Sequence, residues 1–431
     1  MNRRNFIKIT AGMTAAGMTG CRPTKQECVP GKKRVVVIGG GAGGATAAKY
    51  IRKTDPSIEV ILIEQNKHYY TCFLSNEVLG GWRNFDSIKF SYDGLKKYDV
   101  NVVHNRATGI DPDKKKVTIQ SGKTFCYDRL IVSPGIDFKW ETIEGYNESV
   151  AEKIPHAWNS GFQTALLRKQ LEAMKDGGKV IITVPRRPFR CHPGPYGRAS
   201  VIADYLKRHK PKSKVLILEA SEKFAQQKLF IQAWKKLYGY GTDNSIIEWL
   251  PFSEGGEVIR VDAKKRAVYT DPFEDQYVGD VLNVIPQQKA GKIAFLGDLV
   301  DETGWCPINQ KTFESERHKD IHVIGDAAIA SPMARAANSA NSQAKVCALV
   351  IVKALRGEEM VPPFFINACY SILGKEYGIS VAAVYHLEGD KIKWIRGAGG
   401  ISPMDGSPEL RKREVLYAHS WFKNLTYDIF G

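Results

Sequence analysis

The chain has 431 residues, enough for two or three domains, and is 43% hydrophobic and 25% charged, a globular balance that excludes a disordered or fibrous class. Lys and Arg outnumber Asp and Glu by 62 to 46, a formal charge of +16, but the basic groups are short and dispersed and carry no zinc-finger or RNP spacing, which argues against a nucleic-acid partner. No apolar run reaches the roughly 18 residues of a spanning helix and no repeat of roughly 20–50 residues recurs, so a polytopic membrane protein and a solenoid are excluded.

Residues 1–30 read as a twin-arginine export signal. Arg3-Arg4 precedes Phe6-Ile7-Lys8 and a weakly apolar stretch from Ile9 to Gly20. Met18-Thr19-Gly20-Cys21 also fits a lipobox, so plain cleavage and lipidation at Cys21 both stand. Either reading places the mature protein in the periplasm, where disulfides persist. Membrane contact is expected only if Cys21 is lipidated.

Arg34 to Ile38 predicts a buried strand. Gly39-Gly40-Gly41-Ala42-Gly43-Gly44 follows, then a helical stretch from Ala45 to Lys53 and a second strand from Glu59 to Ile63, ending at Glu64. This is G-x-G-x-x-G between strand and helix, with an acid 20 residues past the last glycine. Gly39 permits the tight turn, Gly41 lets the backbone approach a pyrophosphate, Gly44 lets helix and strand pack closely, and Glu64 is expected to bind ribose hydroxyls. Tyr127 to Gly135 and Ile321 to Ala327 each read as a strand running into a turn. Both resemble segments of the two-dinucleotide flavoprotein oxidoreductases. That resemblance selects FAD and implies that Asp326 bonds its ribityl chain. The next helix, from about Ser339 to Leu355, is expected to present its positive N-terminus to the flavin.

A second βαβ unit runs through the strand Lys179 to Val184, a helix from roughly Tyr196 to Arg208 and the strand Lys214 to Leu218. Its first turn is Pro185-Arg186-Arg187-Pro188-Phe189-Arg190-Cys191-His192-Pro193-Gly194-Pro195. Prolines lack N–H donors and the loop is long for a pyrophosphate turn, so no nicotinamide site is expected.

There are eight cysteines and no C-x2-C or C-x-x-C-H spacing, so neither a metal site nor an attached haem is expected. Cys126 and Cys347 read as inert core residues, and Cys306 stays unassigned. Cys72, Cys191 and Cys369 fall where a doubly wound fold places functional loops.

Together these segments resemble the flavoprotein subunit of flavocytochrome c sulfide dehydrogenase and, more distantly, sulfide:quinone oxidoreductase. The resemblance runs through the leader, Val35 to Gly44, Tyr69 to Asn76, Pro188 to Ser200, Gly304-Trp305-Cys306-Pro307, Ile321 to Ala327 and the end through Trp421. It implies that Cys72 holds FAD covalently, that Cys191 and Cys369 form a catalytic redox disulfide, and that Trp421 approaches the flavin. It also implies a separate c-type cytochrome subunit as electron acceptor, in a heterodimer. Gly197 stands where the family often carries a glutamate, which leaves proton transfer to water or His192.

In the chemistry this implies, hydrosulfide attacks the disulfide and leaves a persulfide and a thiolate, whose electrons pass to FAD. Which cysteine takes which role stays open. The thiolate needs a depressed pKa, which Arg187 and Arg190 are placed to supply. Two alternatives remain: a sulfide:quinone oxidoreductase-like enzyme at the membrane, and a non-catalytic exported flavin-fold protein that binds a cytochrome. The expected architecture is α/β, with two Rossmann-like dinucleotide-binding-type domains and a C-terminal α+β interface domain. The expected bounds are 31–150 with 290–360 for the FAD domain, 151–289 for the second unit and 361–431 for the flavin-covering domain.

Overall fold

Val35, Val36 and Val37 are fully buried, and so are Leu130, Ile131 and Val132, which is the uninterrupted apolar signature of parallel strands covered on both faces. In the computed structural model, which describes residues 31–431, these strands build a five-stranded sheet. Its order is Ile321–Val323, Arg129–Val132, Arg34–Ile38, Glu59–Ile63, Asn101–Val103, with every pairing parallel. The expected export signal and Cys21 lie outside the described residues.

The helix Ala42–Thr54 follows the first strand and packs against the long helix Ala337–Arg356. The glycine motif explains how closely the first turn closes. Gly39 has φ +95°, and a Cβ on Gly44 would lie 1.8 Å from the Gly39 carbonyl oxygen. Only hydrogen side chains permit that approach.

A second, four-stranded parallel sheet has the order Ile247–Leu250, Lys214–Glu219, Lys179–Val184, Val281–Val284. The helix Gly194–His209 connects its two central strands. Its buried face carries Tyr196, Ala199, Ile202, Ala203 and Leu206, near the 3.6-residue spacing of an amphipathic helix.

The C-terminal part is a three-stranded antiparallel sheet, Phe364–Gly374, Tyr377–Glu388 and Lys391–Ile401, followed by the helix Pro408–Phe430. Ser407 caps that helix by accepting from the Leu410 N–H at 3.2 Å, with Pro408 in its first turn. Val415, Ala418, Phe422, Leu425 and Ile429 form its buried stripe. Its far end is locked onto the first sheet's helices: Lys49 Nζ donates to the carbonyls of Tyr427, Asp428 and Gly431, and Phe430 stacks on Phe90 at 5.4 Å. Nearer its middle, His419 Nε2 lies 2.6 Å from Glu77, a buried carboxylate that also pairs with Arg83 at 2.7 Å. The helix thereby clasps the Cys72 segment. Among the described residues no helix is long and apolar enough to cross a membrane.

Two cysteine readings change. Cys369 is not on a loop; it sits within the strand Phe364–Gly374, opposite Val381. The hairpin buries one face against the helices, and alternation along the strand puts Cys369 on the side that faces the site. Cys126 closes the strand Thr124–Cys126 and is disulfide-bonded, so it is not a free core thiol. Cys347 and Cys306 are buried free thiols.

Candidate active site

The carboxyl ends of the first sheet's strands converge on one cleft, where an open parallel sheet places its ligand. The cleft has a volume of about 520 Å³ and is lined by Gly39 and Gly41 after the first strand, Glu64 after the second, Ser133 to Ile136 after Arg129–Val132, and Gly325 with Asp326 after Ile321–Val323. Gly41 caps the helix Ala42–Thr54 with no side-chain bond, and a Cβ placed there would meet only Tyr69, at 3.5 Å. The helix N-terminus is therefore open to an anionic ligand. Glu64 accepts from the Gly40 N–H at 2.8 Å and from the Asn66 N–H at 2.8 Å, so the carboxylate is held at the cleft wall by backbone.

Asp326 supplies the sharpest test of a ligand. Its Oδ2 lies 3.7 Å from Arg190 Nη1, while its Oδ1 is buried with no hydrogen-bond partner among the described residues. Burial raises its pKa, opposed by Arg190 and Arg335. An orphaned buried acceptor costs about 1–3 kcal/mol unless a donor fills it. A ribityl hydroxyl at this edge of the cleft is such a donor, so the residues present fit a flavin dinucleotide.

A second, smaller cavity of about 110 Å³ adjoins the first. It is lined by Cys72, Cys191, Cys369, Gly197, Arg198 and Trp421 among others. Cys72, Arg190 and Ala337 line both cavities. Ala337 opens the helix Ala337–Arg356, whose N-cap, Ala336, has no side-chain bond, so the first-turn N–H groups face the junction. Cys191 is held in a left-handed backbone conformation, φ +58°, by its N–H bond to the Arg335 carbonyl at 3.0 Å and by the Gly194 N–H bonding its own carbonyl at 2.8 Å. The proline-rich loop is thus tied to the Gly-Asp side of the first sheet. Trp421 packs edge-on against Phe73 at 5.6 Å and lies 5.8 Å from Tyr370.

Cys191 and Cys369 are both free thiols lining the same cavity. Their electrostatics reverse one expectation. Burial pushes the Cys191 thiol up to about 12, reinforced by Cys369 and Cys72, and Arg190 opposes without overcoming this. Burial likewise pushes Cys369 up to about 11, opposed by its hydrogen bond with Asn367 and reinforced by Cys72. Neither thiol is depressed, because loss of water outweighs one neighbouring guanidinium that already answers Asp326.

Other residues of the proline-rich loop and the helix after it are placed as follows. Arg186 is on the surface, paired with Glu257, and Arg187 is exposed. His192 does not line the small cavity; it packs on Phe189 at 5.0 Å, and burial, then Arg187 and Arg335, lowers its pKa to about 4. Gly197 does line the cavity, and a Cβ there would meet nothing nearer than Asn76 Nδ2 at 3.9 Å.

Sequence reasoning missed Arg198. It is 3% exposed, in the middle of the helix Gly194–His209. The signal was present: a lone cation running into Ala199-Ser200-Val201-Ile202-Ala203 has no solvent face to occupy.

Comparison with known proteins gives the family and the fold. Residues 33–171 match the profile for pyridine nucleotide-disulphide oxidoreductases, 164–286 that for the central part of the sulfide dehydrogenase (flavocytochrome c) flavoprotein chain, and 361–430 that for the flavocytochrome c sulphide dehydrogenase flavin-binding region. A 48-residue sulfide dehydrogenase (flavocytochrome c) flavoprotein chain from Chlorobaculum thiosulfatiphilum is 60% identical over its whole length, which is 11% of this chain. The mitochondrial sulfide:quinone oxidoreductase of Dictyostelium discoideum is 24% identical over 349 residues, 79% of this chain and 74% of that one. The solved sulfide:quinone oxidoreductase of Aquifex aeolicus superposes with a TM-score of 0.67 over 92% of each chain at 19% identity, which shows the fold.

Proposed function

The chain belongs to the family of flavocytochrome c sulfide dehydrogenase flavoprotein chains, and on that premise we propose that it oxidises hydrosulfide through Cys191 and Cys369 and delivers the electrons to a c-type cytochrome subunit. The observation that carries this reading is the meeting of Cys72, Cys191 and Cys369 around one small cavity, with Cys72 also on the wall of the dinucleotide cleft. FAD bound in that cleft supplies an acceptor for two electrons that can then give them up singly. Gly39, Gly41, Gly44, Glu64 and Asp326 hold it, Cys72 tethers it covalently, and Trp421 closes the small cavity.

In the oxidised protein Cys191 and Cys369 are a disulfide. Hydrosulfide attacks one sulfur, the S–S bond breaks, and a new S–S bond forms a persulfide. The displaced electron pair leaves as the second cysteine's thiolate. Two elements bracket the site: the proline-rich loop supplies Cys191, and the C-terminal hairpin supplies Cys369. Export by the twin-arginine route to the periplasm completes the reading, supported by the disulfide at Cys126, a bond that persists in oxidising compartments.

A second reading, with quinone as acceptor, is favoured by the sulfide:quinone oxidoreductase relatives. Mixing sulfide, the purified yellow protein and either acceptor separates them. Sulfide is expected to bleach the flavin, and oxidised cytochrome c to restore its colour where a soluble quinone does not. Recovery with quinone alone would transfer the assignment to the second reading.

A further inference from the structure

Arg198 is buried to 3% exposure, yet every acceptor it reaches is neutral. Its Nε donates to Asn76 Oδ1 at 3.2 Å, its Nη1 to the His156 carbonyl at 3.0 Å and to Asn283 Oδ1 at 2.8 Å, and its Nη2 to the Ala157 carbonyl at 2.6 Å. Four of the five guanidinium N–H groups are thereby held, leaving one on Nη2. Among the described residues no carboxylate lies within ion-pair distance of Arg198, whereas Arg190 across the same cavity is matched by Asp326. A buried cation is costly unless its charge is answered, and the Trp158 ring, its centroid 5.0 Å from the guanidinium carbon, answers it only in part. Trp158 and Trp421 line the same cavity, and the Nε1 of each is buried without a partner.

We propose that the small cavity is a monoanion subsite, with Arg198 as its counter-charge. The identity of the anion rests on the sulfide reading above; the existence of the subsite does not. The cavity, about 110 Å³, is the smaller of the two and fits a small monovalent anion such as hydrosulfide. The charge count closes. Hydrosulfide brings one negative charge, and its attack on the disulfide leaves one thiolate while the proton stays on the terminal persulfide sulfur. One guanidinium without a described carboxylate partner therefore balances the site before and after the step. Burial, reinforced by Arg190, lowers the Arg198 pKa to about 9, so the charge is present at neutral pH.

The test uses two alkylating agents of similar size, anionic iodoacetate and neutral iodoacetamide, on the dithiothreitol-reduced holoenzyme, with labelling read at the Cys191 and Cys369 peptides. The ratio of iodoacetate to iodoacetamide rates is expected to exceed that of the urea-unfolded chain by about tenfold in the wild type. Arg198→Lys is expected to keep it within about threefold, and Arg198→Gln to return it to the unfolded value. A purely structural role for Arg198 would not move this ratio. In turnover, Arg198→Gln is expected to raise KM for sulfide by about tenfold with a smaller change in kcat. A wild-type ratio equal to the unfolded chain's overturns the proposal, and this arm stands even if Arg198→Gln does not fold. A folded Arg198→Gln protein that keeps the wild-type ratio overturns it equally. A raised ratio in a holoenzyme that ignores sulfide would confirm the subsite and remove the sulfide reading instead.

Discussion

Arg190 Nη1 lies 3.7 Å from Asp326 Oδ2, and this contact joins two parts of the chain that share no strand. Asp326 follows the last strand of the first sheet, whereas Arg190 belongs to the loop that leaves the second sheet. The Arg335 side chain adds a second tie through the Asp326 carbonyl at 2.9 Å, while the Arg335 carbonyl receives the Cys191 N–H. The cysteine of the second unit is therefore positioned from the floor of the cofactor cleft.

Asp326→Ala removes the orphaned acceptor and unpairs Arg190. In a Cys72→Ser background, where no covalent bond can hide weakened binding, it is expected to reduce FAD affinity by about tenfold or more. Flavin absorbance per polypeptide after gel filtration reads the loss. Full retention of flavin would remove Asp326 from the cofactor contacts.

Cys72 borders both cavities, so a thioether to the cofactor is expected there. Acid-precipitated protein should stay yellow and carry the mass of FAD on the Cys72 peptide, and Cys72→Ser should release all flavin to the supernatant. A colourless wild-type pellet would rule out covalent attachment.

Gly44 and Gly197 give opposite responses to one added methyl group. A Cβ at Gly44 would sit 1.8 Å from the Gly39 carbonyl, so Gly44→Ala is expected to destabilise by about 1–3 kcal/mol or more and to weaken flavin binding. Gly197 has φ in the helical range and no atom nearer than 3.9 Å to a Cβ, so Gly197→Ala is expected to stabilise its helix by up to about 1 kcal/mol. Thermal melts of the two variants would show the contrast, and similar melts would contradict it.

In the reduced protein, Cys369 and Cys191 hold their protons to about 11 and about 12, against an ordinary value of 9.0. Between about pH 9 and pH 12 the unfolded chain binds fewer protons than the folded one, so this contribution to stability is intact below pH 9 and is lost as pH rises through that window. Iodoacetamide labelling of the two peptides is expected to accelerate only above pH 9, Cys369 before Cys191. A midpoint at or below 9 would show that the site stabilises thiolates after all.

How much of this was legible in the sequence differs between local and distant relationships. The strand Lys179–Val184 and the strand Glu59–Ile63 fall where their apolar runs place them, because period and β-branching act within a few residues. The helix predicted from about Ser339 begins instead at Ala337, which puts its N–H groups two residues closer to the cavity junction. The loop predicted around Cys369 is a strand, since its pairing partner Val381 lies across a hairpin that no local signal reports.

By itself the sequence determined the glycine turn, the acid that follows it, the broken second turn and the resemblance that names the cofactor, because each is a pattern of neighbours along the chain. Only the tertiary structure decided that Cys72, Cys191 and Cys369 share a wall, that His192 does not, and that Arg198 lines the same cavity with no described carboxylate in ion-pair distance. Burial and Coulomb interaction depend on which distant atoms displace water, and that is settled when the sheets, the hairpin and the last helix pack, not when the residues are joined.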